Sequence, residues 1–199
     1  MSRLKAYSMA KQHDLGKKVK QIRETKKVTF EEMVERTNLD IDQLKKIEKG
    51  DVLPSLAPLI KIARALGVRL GTFLDDSDQL GPVIVRAGEH EKGVRFSSQQ
   101  TGSREHLNFF SLAFDKAGRS MEPFIVEIEP SEQSDYMLSS HEGEEFIYVL
   151  EGEIEINYGK ELFQLGQGDS IYLDSIVSHN VHAANANPAR ILAVVYAPF

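Results

Sequence analysis

Apolar residues recur at helical spacing through the first third of the chain, then alternate or cluster in short runs through the rest. Leu15, Val19 and Ile22 share one helical face, with Lys and Arg on the others. Thr29-Phe-Glu-Glu32 has the spacing of a capping box, in which each end of the tetrapeptide satisfies the other's free amide. It predicts a second helix through Arg36 that buries Met33. Asn38 tolerates the left-handed backbone of a sharp turn, Asp40 is placed to cap a third helix over 41–49, and Gly50 ends it. Pro54-Ser55 opens a fourth helix over 56–66 with an apolar stripe of Leu59, Ile60, Ala63 and Leu66, and Gly67 stops it. Residues 68–74 add a last turn or two. Past Pro82 the period changes to that of strands, expected at 83–87, near Phe96, and at 106–114, 124–128, 146–150, 153–158, 161–165, 170–173, 178–183 and 190–197. Short strands at regular spacing with glycine turns predict an all-β sandwich or barrel.

Charge divides the chain at the same place. Residues 1–74 hold 16 Lys+Arg against 9 Asp+Glu, a net of +7, whereas residues 75–199 hold 8 against 21, a net of −13. An anionic partner is therefore expected for the first part alone. The expected domains are a basic arm at 1–13, a helical domain at 14–74, an acidic linker at 75–81 ending in Gly-Pro, and a β domain at 82–199. No apolar run is long enough to span a membrane, and the basic N-terminus lacks the apolar core of a signal peptide. The chain has no cysteine, which excludes disulfides, thiolate catalysis and zinc fingers and makes the cytoplasm the expected location.

Two short helices joined by a sharp turn form a helix-turn-helix, whose second member lies in the major groove of DNA. Leu15-Gly16, Ile22-Arg23, Leu44, Ile47-Glu48-Lys49-Gly50, Pro54-Ser55 and Ile62-Ala63-Arg64-Ala65-Leu66-Gly67-Val68 carry a resemblance to the phage-repressor-like (lambda-repressor-like, XRE-type) helix-turn-helix family. The sequence departs from that pattern at Val34, where Ala is usual, and at Asn38, where Gly is usual. The resemblance implies double-stranded DNA as partner and a homodimer on a two-fold site. Ile41, Asp42, Gln43 and Lys46 would face base edges; Gln43 suits adenine, Lys46 guanine and Asp42 cytosine. Thr29, Lys45 and Lys49 are placed for phosphates, which set register rather than sequence.

In the second domain, His141 and Glu145 precede the apolar strand 146–150 and its Glu-Gly turn, and Gly168-Asp169 opens a strand that leads to His179. Two imidazoles and one carboxylate with open positions suit a divalent first-row metal, Fe(II) above all, with Zn, Ni and Mn as the other candidates. Residues 82–199 resemble the cupin family of small jelly-roll barrels, through both glycine turns, the H-x3-E spacing and the downstream histidine. The first histidine of the family's H-x-H falls at Ser139, and Ser178 stands where proline is usual, so the four-ligand set is reduced to three. Phe110, Tyr136, Tyr148, Phe163, Tyr172, His182 and Tyr196 are the candidates for the wall of an effector pocket.

The pairing of a basic helix-turn-helix with a cupin pocket predicts a non-enzymatic transcription regulator whose barrel binds a small-molecule effector, with a metal ion as a candidate anchor. The alternative is a non-haem Fe(II) enzyme. The domain pairing and the Ser178-His179 pair are also similar to the hydroxypropylphosphonic acid epoxidases, where the helical domain supplies a lysine that Lys27 would match.

Overall fold

A computed structural model describes residues 15–74, 81–89, 95–97, 107–131 and 138–198. The basic arm, most of the acidic linker and Tyr136 lie outside the described residues.

The helical part begins with α1, described over residues 15–25, which buries Leu15 and Val19 as their spacing requires. Helix α2 (Phe30–Thr37) starts at the predicted capping box. The Glu32 amide donates to Thr29 Oγ1 at 3.1 Å, and the Thr29 amide donates to the Glu32 carboxylate at 2.8 Å. Asn38 ends it at φ 53°. Asp40 then accepts from the amides of Asp42 and Gln43 at 2.8 and 3.2 Å and starts α3 (Ile41–Lys49), which Gly50 closes at φ 75°. Helix α4 (Leu56–Ala65) buries all four residues of the predicted stripe, counting Leu66 at its end, and α5 (Gly71–Leu74) completes the core with Phe73 and Leu74.

Two contacts set α1 against α3. At Gly16 a Cβ would fall 2.3 Å from the Ile47 carbonyl oxygen, so only glycine permits this approach. Arg23 forms a fork on the Glu48 carboxylate, at 2.6 and 2.9 Å. The α2 cap contributes less. Thr29→Ala is expected to lower stability by about 1 kcal/mol in urea unfolding, and Thr29→Ser by much less, because the cap is one exposed hydrogen bond pair.

The β domain comprises β1 (Arg95–Ser97), β2 (Leu107–Ser111), β3 (Met121–Ile128), β4 (Glu144–Glu151), β5 (Glu153–Tyr158), β6 (Glu161–Gly166), β7 (Ser170–Asp174), β8 (His179–Ala183) and β9 (Ala189–Tyr196). A six-stranded sheet runs β1-β2-β3-β9-β4-β7, a three-stranded one runs β6-β5-β8, and the strand pairs in both are antiparallel. These are the expected layers of a jelly roll. The strand expected at 83–87 does not form. The alternation is there, but the segment pairs with no described strand and leaves Ile84 68% exposed. A period of two makes a strand only where a partner edge is available.

The buried cores of the two parts run together. The contact is made by α4, whose first turn brings Leu56 and Ala57 to the barrel and whose Arg64 pairs with Glu142.

Candidate functional site

His141 lies in the loop before β4, Glu145 is the second residue of β4, and His179 opens β8. Backbone hydrogen bonds tie these three segments together. The His141 amide donates to the Ser175 carbonyl, and the Ser175 amide donates to the Gly143 carbonyl, both at 2.9 Å. Ser139 and His179 exchange amide-to-carbonyl bonds at 2.9 and 3.0 Å. Gly143 must be glycine: its φ is 112°, and a Cβ would strike the Tyr196 carbonyl. Local chemistry therefore fixes where His141 and Glu145 point.

The three donor atoms all lie within 4.8 Å of one another, and all three side chains are buried. His141 Nε2 is 2.7 Å from Glu145 Oε1, and His179 Nε2 is 3.5 Å from the same oxygen. Each histidine turns its Nδ1 to a backbone carbonyl, His141 to Glu142 at 3.1 Å and His179 to Val177 at 2.8 Å. A ring whose Nδ1–H is donated to a carbonyl presents the Nε2 lone pair, the tautomer that metal-bound histidines adopt. Between each Nε2 and Glu145 Oε1 there is room for a proton, as in hydrogen bonds from the rings to the carboxylate, or for a metal ion that replaces it. Burial pushes the Glu145 carboxyl up, but hydrogen bonds from His141 and then His179 outweigh burial and hold it at about 2. The carboxylate is ionised at neutral pH and the donor set fits a divalent metal ion, with His141, Glu145 and His179 as the residues that would hold it.

The triad lies in the wall of a cavity of about 70 Å³ between the large sheet and β8. Its walls follow strand alternation: Leu107 and Phe109 from β2, Val126 and Ile128 from β3, Ile147 from β4, Val181 from β8, and Ile191, Ala193 and Val195 from β9. Ser139 and Asn180 add polar groups, and Leu56 and Ala57 of α4 complete the lining.

This lining corrects the sequence reading. None of the described aromatic candidates is part of it, nor is His182. Phe110, Tyr148, His182 and Tyr196 sit one residue out of phase with the cavity-facing positions of their strands. Phe110 is buried elsewhere, Tyr148 and Tyr196 are exposed, and His182 meets Asn157 and Glu155. Phe163 and Tyr172 are exposed on β6 and β7, where the Tyr172 hydroxyl donates to Glu144 at 2.7 Å. Counting by twos from Glu145 and His179 would have found Ile147 and Val181. Nothing local marks Leu56 or Ala57 as cavity residues.

On the helical domain, Asp42, Lys45, Lys46, Lys49 and Thr29 are exposed, while Ile41 and Gln43 are half-buried. They line α3 and the turn before α2, with Lys45 Nζ 5.9 Å from the Phe30 ring. The Thr29 hydroxyl is engaged as the α2 cap. Lys27 is exposed in the turn after α1, at φ 56°, and does not line the cavity.

Residues 16–78 match the helix-turn-helix domain family, and residues 124–195 match the cupin domain family. The chain joins a helix-turn-helix domain to a cupin domain. The chain is similar to proteins of two kinds. The HTH-type transcriptional regulator PuuR of Escherichia coli is 21% identical over 178 residues, covering 89% of this chain and 92% of its own. The (S)-2-hydroxypropylphosphonic acid epoxidase of Streptomyces wedmorensis is 28% identical over 157 residues, covering 70% of this chain and 73% of its own. Among solved structures, an HTH_3 family transcriptional regulator from Vibrio cholerae superposes with a TM-score of 0.70 at 19% identity, over 96% of this chain and 99% of that one. The structure of Fe(II)-HppE with an alternative substrate gives 0.52 at 22% identity, over 93% and 98%. These likenesses show that the helix-turn-helix and cupin halves share a fold with both kinds.

Proposed function

We propose that this protein is a DNA-binding transcription regulator whose cupin barrel holds a divalent metal ion and a small effector. The observation that carries the reading is the position of α4. It packs against the recognition unit on one side and supplies Leu56 and Ala57 to the cupin cavity on the other. Occupancy of the cavity is thereby in direct contact with the DNA-binding domain. An effector that favours one arrangement of the two domains shifts DNA affinity by its differential affinity for that arrangement. The exposed cations of α3 supply the electrostatic footprint, and the regulator relative aligns over 89% of this chain and 92% of its own. The protein acts as a homodimer in the cytoplasm, each copy reading one half-site; exposed Leu162, Phe163 and Tyr172 on the outer strands are the surface for pairing.

Gln43→Ala and Lys46→Ala test the recognition helix. Each is expected to cost roughly 1–3 kcal/mol of preference for the chain's own upstream DNA over random duplex, read by fluorescence anisotropy. An unchanged preference in both variants would remove α3 from the role.

The triad and the epoxidase relative favour a second reading, an Fe(II) enzyme acting on a hydroxyalkylphosphonate. When bound, iron would supply oxygen activation, while His141, Glu145 and His179 hold it and the apolar walls exclude water. Lys27, the residue that would match the lysine of this reading, lies outside the cavity of its own chain. Turnover of (S)-2-hydroxypropylphosphonate with Fe(II) and oxygen, abolished by Glu145→Ala, would establish the enzyme instead.

A further inference from the structure

The cavity has a chemistry of its own beyond the triad. Its polar groups are Ser139, His141, Glu145, His179 and Asn180, and the other lining residues are apolar. Among the described residues, none of the sixteen that line it is Lys or Arg. Two cations that the β domain might have offered to an anionic ligand are engaged elsewhere: Arg119 with Glu122 at 2.8 Å, and Arg190 with Glu151 at 2.9 Å. Ser139 stands on the cavity side, so the position without a histidine opens onto the space a ligand would fill.

We infer that the effector is a short amphiphile with a monoanionic chelating head, of the carboxylate or hydroxy-acid class. Its oxygen atoms bind the metal ion held by the triad, and its apolar tail lies against Leu56 and Ala57 of α4. The inference rests on the metal reading above and names the ligand for that site.

Charge selects the head. One carboxylate and a divalent ion leave a single positive charge in a buried site, which a monoanion neutralises. A phosphonate in its dianionic form would leave a net negative charge among apolar walls with no cation among the described lining residues to meet it, and an uncompensated buried charge is costly. Size selects the tail. A cavity of about 70 Å³ is roughly half the size of an apolar cavity that takes up one benzene ring, about 150 Å³. That accommodates a tail of two or three carbons, on the order of propionate or butyrate. Geometry makes the first turn of α4 a determinant of chain length, because Leu56 and Ala57 are the lining residues contributed from outside the barrel.

The test uses full-length protein loaded with Co(II), whose visible absorption reports its coordination directly. Linear carboxylates from acetate to octanoate are titrated by absorption and calorimetry, without DNA. Affinity is expected to rise about fourfold per added methylene, the value of burying one CH₂, and then to level off near butyrate. Leu56→Ala should move the maximum to longer chains and Ala57→Leu to shorter ones; if one variant fails to fold, the other still tests the wall. Propylphosphonate at about pH 9.5, where the dianion predominates, should bind at least about tenfold more weakly than butyrate at the same pH. Affinity independent of chain length, a phosphonate that binds more tightly than butyrate, or maxima unmoved in the folded variants would overturn the inference. So would tight binding of alkylammonium ions to the metal-free protein. A protein that takes up no Co(II) refutes the metal reading and this inference with it. Failure to bind DNA refutes the regulator reading and leaves the carboxylate series standing.

Discussion

With Glu145 replaced by alanine, the protein is expected to bind Co(II) or Fe(II) at least about a hundredfold more weakly than the unaltered chain. Losing a partner of a ligand already costs about 10–100-fold in metal affinity, so losing the ligand itself must cost at least the upper end of that range. Glu145 is the only carboxylate of the set, and both imidazole Nε2 atoms face its Oε1. Without it, two neutral nitrogens remain to hold a dication in a buried space. His141→Ala and His179→Ala should weaken binding by similar factors, because each removes one of three donors. Equilibrium dialysis with elemental analysis gives the affinities, and circular dichroism verifies the fold. Metal content unchanged in all three variants would place any metal elsewhere.

The second large effect is on the helical domain. Arg23→Ala is expected to destabilise it by about 2–3 kcal/mol, the cost of leaving a part-buried carboxylate without its charged hydrogen-bond partner. The side chains of Arg23 and Glu48 are only 11% and 7% exposed, and their contact is a two-pronged hydrogen bond. Arg23 also donates to the Val28 carbonyl at 3.0 Å and stacks over Phe30, 4.3 Å from the ring centroid. It thus joins α1, the turn before α2, and α3 in one side chain. Lysine lacks the planar fork, so Arg23→Lys should recover only part of the loss. In the double variant with Glu48→Ala the cost should be well below the sum of the single ones, since the buried carboxylate is then gone. Urea unfolding followed by helical ellipticity measures each value. A loss below about 1 kcal/mol for Arg23→Ala would show that the pair behaves like an ordinary surface contact.

These cases mark what can be read from the chain alone. Helix starts and stops were legible because their causes are local: Thr29 and Glu32, Asp40, Asn38 and Gly50 act within a few residues of themselves. Arg23 and Glu48 were visible as residues of a family pattern, but their pairing spans 25 positions and becomes apparent only when α1 is laid on α3. In the β domain, the spacing of His141, Glu145 and His179 picked out three residues that the fold does bring together. Aromatic bulk does not mark the cavity wall, because strand phase decides which side chains face inward. Phe110 and Tyr148 are neighbours in sequence of Phe109 and Ile147, yet they point the other way. The segment 83–87 had the alternation of a strand without an edge to join. Least legible was the docking of α4 on the barrel, since Leu56 and Ala57 look like ordinary core positions of a small helical domain.

The central claim is that an anionic barrel with a ligand cavity has been joined to a cationic reader of duplex DNA. Fluorescence anisotropy of the purified protein on its own upstream DNA, across a salt series, tests this most directly. The account predicts tight binding at low ionic strength, preference over random duplex, and affinity that falls linearly on a log–log plot with salt at about one unit of slope per phosphate neutralised. Indifference to that DNA at low ionic strength, together with iron-dependent oxidation of a small organic substrate, would contradict it.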